Sequence, residues 1–307
     1  MQVRKSLFNL TFKALVESFK VESMEKVASM LLRDYDLHKR TGYPGSISVP
    51  KRDAARQIIK DIEKAGRFPD LVIKLIDIHT NGYMGRNYTI HYLKNILNDI
   101  KEQGLIFDPE YKIFMEDPAA RRTRNWGALR QGEEYIITFL RLDIVGNSQL
   151  VRKYPPDIID RTYSGLRKIV QDAIDRRNGR IWNWEGDGGL VAFCFSKKNM
   201  QATLSAVNIL HELFIFNQTG CELEKPLRLR IAIHSGPYEY SPNEEDLNKS
   251  ETVKKAVLIE NKYTQPNTVT VSNMVSIALD KLLLQQFKPI DVDIRTKYYN
   301  YSLEWEH

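Results

Sequence analysis

Two aspartates interrupt apolar stretches of this chain at places where a carboxylate could do chemistry. Asp143 closes the run YIITFLRLDIVG, and Asp187 follows 44 residues later, inside RIWNWEGDGGLVAFCF. Two carboxylates, with the backbone carbonyl of Ile144 beside the first, form a hard-oxygen site suited to Mg2+ or Mn2+. Directly after Asp143 the turn containing Gly146, Asn147 and Ser148 leads toward a helix opening at Pro155-Pro156-Asp157. Backbone N–H groups in such a turn can cradle phosphates. Carboxylate-held metal beside a phosphate-binding turn is the machinery of phosphoryl or nucleotidyl transfer. Either aspartate alone reads as an ordinary strand-end or turn residue; the two contexts together favour the metal.

These residues need elements to position them. From Tyr135 onward, strands and helices alternate: a strand ending at Asp143, a helix over 155–179 and the hairpin around Asp187. A second helix follows over 199–218, then a strand through LRLRIAIHSGPYEY and a third helix from ETVKKAVLIE. NTVTVS reads as a short strand, MVSIALDKLLLQQF as a fourth helix and KYYNYSLEWE as a final strand. The pattern predicts an α/β (α+β) sandwich with helices over a sheet that has one antiparallel hairpin in its middle.

The first part of the chain reads differently. Apolar residues at helical spacing, glycine stops at Gly66 and Gly104 and the hairpin signal LIFDPEYKIFMED predict a small, mainly helical domain ending in a β-hairpin. That order resembles a winged-helix module, and a helical interaction domain with one hairpin is the other reading. The segment Asp117 to Glu134, rich in arginine and without periodicity, reads as a solvated linker. The expected division is a regulatory or interaction domain with its linker over 1–130 and a catalytic domain over 131–307. Residues 1–130 carry 23 Lys/Arg against 16 Asp/Glu, and the remainder 22 against 23, so the basic excess belongs to the first part. A solvated basic face is the expected meaning, and nucleic acid is not an expected partner.

Bulk features narrow the class. No run of eighteen apolar residues predicts a membrane span. The N-terminus is broken by Lys13, Glu17 and Lys20 and suits an amphipathic helix rather than a signal peptide. The two cysteines, Cys194 and Cys221, form no zinc pattern. A cytoplasmic location is expected by elimination.

FLRLDIVGNSQL, WEGDGGLVAF, LRIAIHSGP and ETVKKAVLIE, in that order, resemble the core motifs of the class III nucleotidyl cyclases over about Tyr135 to Ser302. The resemblance implies a ferredoxin-like domain that works as a homodimer, with active sites across the interface. It implies two Mn2+ or Mg2+ ions per site, held by Asp143, Asp187 and the Ile144 carbonyl. The implied reaction is attack of the ribose 3′-hydroxyl on the α-phosphorus of a nucleoside triphosphate.

The departures concern the substrate. Where purine cyclases carry a base-selecting lysine or glutamate, this chain has Asn183, whose amide offers both a donor and an acceptor. Trp182 or Trp184 could lie near a base, strand alternation being expected to allow only one of them. Leu258 stands at the place of the family's transition-state arginine; Lys254 or Lys255 is the candidate for supplying charge there instead. Loss of the purine selectors with retention of both aspartates resembles the Pycsar-type pyrimidine cyclases, which make cyclic UMP or cyclic CMP to trigger a separate effector in bacterial antiphage defence. Uridylate cyclase is the expected activity. An adenylate or guanylate cyclase, or an inactive nucleotide-sensing or DNA-binding regulator, are the alternatives.

Overall fold

A computed structural model describes residues 1–120, 122–291 and 297–303. The chain divides into two compact units, Met1–Arg121 and Arg122–His307.

Among its described residues the first unit contains six helices: α1 (Lys5–Ser18), α2 (Val21–Leu31), α3 (Leu37–Thr41), α4 (Lys51–Lys64), α5 (Phe68–Asn81) and α6 (Leu93–Glu102). An antiparallel pair, β1 (Leu105–Asp108) and β2 (Ile113–Glu116), closes it. Apolar residues three and four apart put one stripe of each long helix inside. In α4, Ala54, Ala55, Ile58, Ile59 and Ile62 are buried while Arg52, Arg56 and Lys60 face water.

The second unit is built on β3 (Glu134–Ile144), α7 (Asn147–Lys153), α8 (Pro156–Asp175), β4 (Arg180–Glu185), β5 (Gly188–Phe193), α9 (Lys198–Thr219) and β6 (Leu229–Glu239). It continues with α10 (Glu251–Tyr263), β7 (Thr268–Ser272), α11 (Asn273–Ser276), α12 (Lys281–Leu284), β8 (Lys288–Asp291) and β9 (Lys297–Ser302). Among the described residues the strands lie in the order β4-β5-β3-β6-β7-β9-β8. Within that sheet, β3-α8-β4-β5-α9-β6 is a βαββαβ unit with β3 and β5 in the middle, the ferredoxin-like arrangement.

Alternation along the strands gives the sheet two unlike faces. Leu140, Leu142 and Ile144 of β3, with Val191, Phe193, Ile231 and Ile233, share a core with Leu166 and Val170 of α8 and Ile209 and Leu210 of α9. The intervening residues Arg141, Asp143, Arg230 and Ala232 occupy the other face. There α10 packs through Ile259 against Ala232 and Tyr298. Ser250 caps α10 by accepting from the Val253 N–H. Thr252 Oγ1 donates to the Pro237 carbonyl at 2.6 Å, anchoring the same helix to β6.

Three expectations need correction. The run MVSIALDKLLLQQF is two single turns, α11 and α12, because Asp280 takes an extended conformation (φ −63°, ψ 147°) in front of α12. Strand β8, which pairs with β9, went unforeseen; the run giving β9 stops at Ser302, and residues 304–306 lie outside those described. Most informative is the supposed solvated linker. Trp126 is fully buried and Leu129 nearly so. Arg122 pairs with Asp175 and Arg124 with Glu244. The Trp126 indole N–H donates to the Asn178 carbonyl at 2.8 Å, so residues 122–129 are a strap bound to the second unit. One buried indole and one buried leucine outweigh the solvation that an arginine-rich composition suggests.

Candidate nucleotide and metal site

The site is organised around the end of β3. Asp143 stands opposite Gly188 of β5 on one side and Arg230 of β6 on the other. One residue further, the Ile144 N–H donates to the Asp187 carbonyl at 3.0 Å. In an antiparallel strand the N–H and C=O of one residue point the same way, so the Ile144 carbonyl also faces the Asp187 turn. The strand register therefore brings Asp143, the Ile144 carbonyl and Asp187 to one end of the sheet.

The glycines around Asp187 have separate reasons. Gly186 has φ +49° in a two-residue loop, the pattern of a II′ hairpin turn. At Gly188 a β-carbon would lie 2.7 Å from the Leu142 carbonyl oxygen and 3.1 Å from Arg141 Nη2. At Gly189 it would fall 2.6 Å from the Trp184 ring. The turn is thus shaped by what passes over it as well as by its reversal.

Charge is concentrated on the open face. Arg230 Nη2 donates to Asp143 Oδ2 at 2.5 Å, and its Nε lies 2.7 Å from Glu260 Oε1. Glu260 is 2% exposed. Burial, reinforced by the Asp143 charge, pushes its pKa up to about 7 despite Arg230 and Arg141 nearby. His234, two rows along β6, accepts from or donates to Ser272 Oγ at 2.9 Å. Burial, then the charge of Lys255, pushes it down to about 4.

Other candidate residues are dispersed around this centre. Gly146 (φ +73°) turns the chain into α7, whose first-turn residues are Asn147 and the exposed Ser148. Tyr163 of α8 donates to Asn147 Oδ1. Burial and then the Asp187 charge raise the Tyr163 phenol to about 12. Asn183 is half-buried on β4 and its amide N–H donates to Glu185 Oε1 at 2.8 Å. Lys254 is exposed and paired with Glu251 at 2.7 Å, while Lys255 lies over the Tyr298 ring at 5.8 Å.

The two tryptophans of β4 are separated by a bulge and not by strand alternation. Regular alternation would put Trp182 and Trp184 on the same face, since they are two apart. A bulge between Ile181 and Asn183 separates them instead. Trp182 enters an aromatic cluster with Trp126, Phe139, Tyr238 and Tyr240, and its indole donates to the Arg124 carbonyl. Trp184 packs into the helix-covered core with Arg167 over its ring.

Sequence reasoning missed Arg141, Arg230, Glu260 and Tyr163. A signal for the first two was present: Arg141 shares the period-two face of Asp143, and Arg230 is a charge within an apolar strand. Glu260 carried no such mark, because only the fold shows that it is buried.

The donor set suits a hard divalent cation. It consists of two carboxylates and a carbonyl at one sheet end, and the guanidinium of Arg230 already holds positive charge against Asp143. Among the described residues no cluster of three or more His, Cys, Asp or Glu side chains assembles. Such a site needs oxygens from water or substrate phosphates to be completed, the usual habit of Mg2+.

Comparison with known proteins adds the following. No protein-family model matches the chain. A 62-residue stretch is 37% identical to uncharacterized proteins of Mycobacterium tuberculosis and Mycobacterium bovis, covering 20% of this chain and 12% of theirs. Similar solved structures include the guanylyl cyclase domain of a RhoGC fusion protein from Blastocladiella emersonii, with 16% identity over 56% of this chain and 97% of that one, TM-score 0.46. An adenylate/guanylate cyclase/hydrolase from Silicibacter pomeroyi shows 19% identity over 56% and 99%, TM-score 0.46. The adenylyl cyclase CyaB of P. aeruginosa shows 14% over 57% and 96%, TM-score 0.44.

Proposed function

We propose that the second unit is a nucleotidyl cyclase domain. The observation that supports this reading is the register: it sets Asp143 opposite Gly188 and ties the Ile144 N–H to the Asp187 carbonyl, so both aspartates belong to one end of the sheet, next to the glycine-led turn into α7. Asp143, Asp187 and the Ile144 carbonyl would hold two Mn2+ or Mg2+ ions. When bound, the metal supplies charge neutralisation at the phosphates and acidifies the attacking hydroxyl. The bond formed joins the ribose O3′ to the α-phosphorus, and the bond broken links that phosphorus to the β-phosphate. Pyrophosphate leaves, and the hydroxyl proton passes to solvent. First-turn N–H groups at Asn147 and Ser148 would face the phosphates, and Lys254, freed from Glu251, is a further cation.

The substrate reading is finer. Asn183 presents a neutral amide where a base would be read, which supports UTP, or CTP, over a purine. We further read the active form as a homodimer and its product as a second messenger in antiphage defence, acting on a separate effector. Among the described residues no helix is long and apolar enough to cross a membrane.

The test is turnover of each of the four nucleoside triphosphates by the full chain with Mn2+, scored by cyclic product. UTP or CTP as preferred substrate is expected; product from ATP or GTP alone overturns the pyrimidine reading. Asp143→Asn and Asp187→Asn should each reduce turnover to background without changing the circular dichroism spectrum. Retained activity in either would remove that residue from metal binding.

A further inference from the structure

Arg141 has no part in the site as proposed so far. It lies two residues before Asp143, on the same face of β3, in register with Leu190 of β5 and Ala232 of β6. Its Nε is enclosed and has no hydrogen-bond partner. Nor does its guanidinium form any ion pair among the described residues, because Arg230 engages both nearby carboxylates, Asp143 and Glu260. An enclosed donor left without an acceptor is unfavourable, so the folded chain itself does not satisfy this guanidinium.

The direction of the side chain indicates which oxygen. Arg141 is rooted in the Leu190 row, the row that also contains Asn183. Its guanidinium lies away from that row, against Gly188, where a β-carbon would be 3.1 Å from Nη2 and 3.4 Å from Cζ. Gly188 follows Asp187 directly and stands opposite Asp143. The guanidinium is therefore beside the Asp143–Gly188 row, at the start of β5, and a row removed from the candidate base reader. A planar guanidinium with two parallel donors matches a phosphoryl group better than a single carbonyl edge. Donors fixed in advance where charge develops contribute more to the transition state than to substrate binding.

The geometry points to Arg141 as a catalytic residue that donates to an oxygen of the reacting phosphoryl group of a nucleoside triphosphate. The inference rests on the cyclase reading of the second unit. Gly188 is the companion feature, since a β-carbon there would crowd both the Leu142 carbonyl oxygen, at 2.7 Å, and Arg141 Nη2, at 3.1 Å.

The experiment compares the wild-type chain with Arg141→Ala and Arg141→Lys in three measurements. These are steady-state cyclisation of the four triphosphates, equilibrium Mn2+ binding by electron paramagnetic resonance, and thermal melting. Arg141→Ala should lose about 10²–10³-fold in kcat, with KM and Mn2+ affinity within about threefold of wild type, since a contact made only in the transition state lowers kcat without raising KM. Millimolar guanidinium should restore part of that rate, while an alkylammonium ion should not. Arg141→Lys should recover little, lacking the fork. Wild-type turnover together with an Arg141→Ala kcat close to wild type overturns this inference alone. So does a loss of kcat that tracks lost Mn2+ binding or melting and shows no guanidinium rescue. A wild-type chain that cyclises none of the four triphosphates overturns the cyclase reading, and this inference with it.

Discussion

In the proposed site, Asn183 is the residue that would read the base. One of its amide hydrogens is committed to Glu185 Oε1 at 2.8 Å, which fixes the plane of the side chain and leaves an acceptor and a second donor. A base edge that offers both a donor and an acceptor matches that pair; a site built to hydrogen-bond its substrate discriminates by leaving its own groups unpaired when the wrong one binds. Asn183→Ala should therefore lower kcat/KM for the preferred triphosphate by about 10–100-fold, one to two hydrogen bonds' worth. The ratio between pyrimidine substrates should narrow in the same variant. Measuring kcat/KM for UTP and CTP side by side checks this, and an unchanged ratio would remove Asn183 from base reading.

The strap of residues 122–129 and the β4–β5 hairpin behave as one packed element. Trp126 contributes a fully buried indole, Trp182 meets it at 6.1 Å between ring centroids, and Arg180 and Trp182 both donate to strap carbonyls. The bulge that turns Trp182 toward this cluster also sets the facing of Asn183 and the path into the Asp187 turn. A fragment beginning at residue 122 should fold and melt cooperatively, whereas one beginning at residue 131 should be less stable by roughly 3–5 kcal/mol, the usual cost of deleting a buried tryptophan. Equal melting temperatures for the two fragments would show that the strap is dispensable. This element also marks the limit of what the residues disclose on their own. The βαββαβ order was legible because periods of 2 and 3.6 and glycine stops are local signals, and the aspartates were legible because they break apolar runs. The strap was not, since its two anchors, Trp126 and Leu129, are too few to produce a period. Nor was the role of Arg230 and Glu260, whose meeting depends on β6 and α10 packing together across 30 residues of chain.

At the scale of the whole molecule, the second unit carries two titratable groups, buried Glu260 and half-buried His234, with opposite effects on stability. Glu260 titrates near 7 in the folded chain against an ordinary 4.5, so between those values the folded state keeps a proton that the unfolded state has released. Stability from this group is present at low pH and is lost as pH rises through that window. His234 titrates near 4 against an ordinary 6.5, so between those values the unfolded state holds a proton that the folded state refuses. Its contribution grows as pH rises through that window. The windows overlap from 4.5 to 6.5, where the two slopes offset each other. Calorimetric melting of the metal-free chain, repeated across that overlap, should therefore show little dependence on pH from these two sites. Glu260→Gln should expose the histidine slope, with melting temperature climbing relative to wild type as pH increases. His234→Gln should expose the carboxyl slope, with melting temperature falling relative to wild type over the same range. Parallel profiles for all three proteins would mean that neither group is held away from its ordinary titration. Profiles that diverge in the stated directions would support the opposed titration of Glu260 and His234 on the face of the sheet that also carries Asp143.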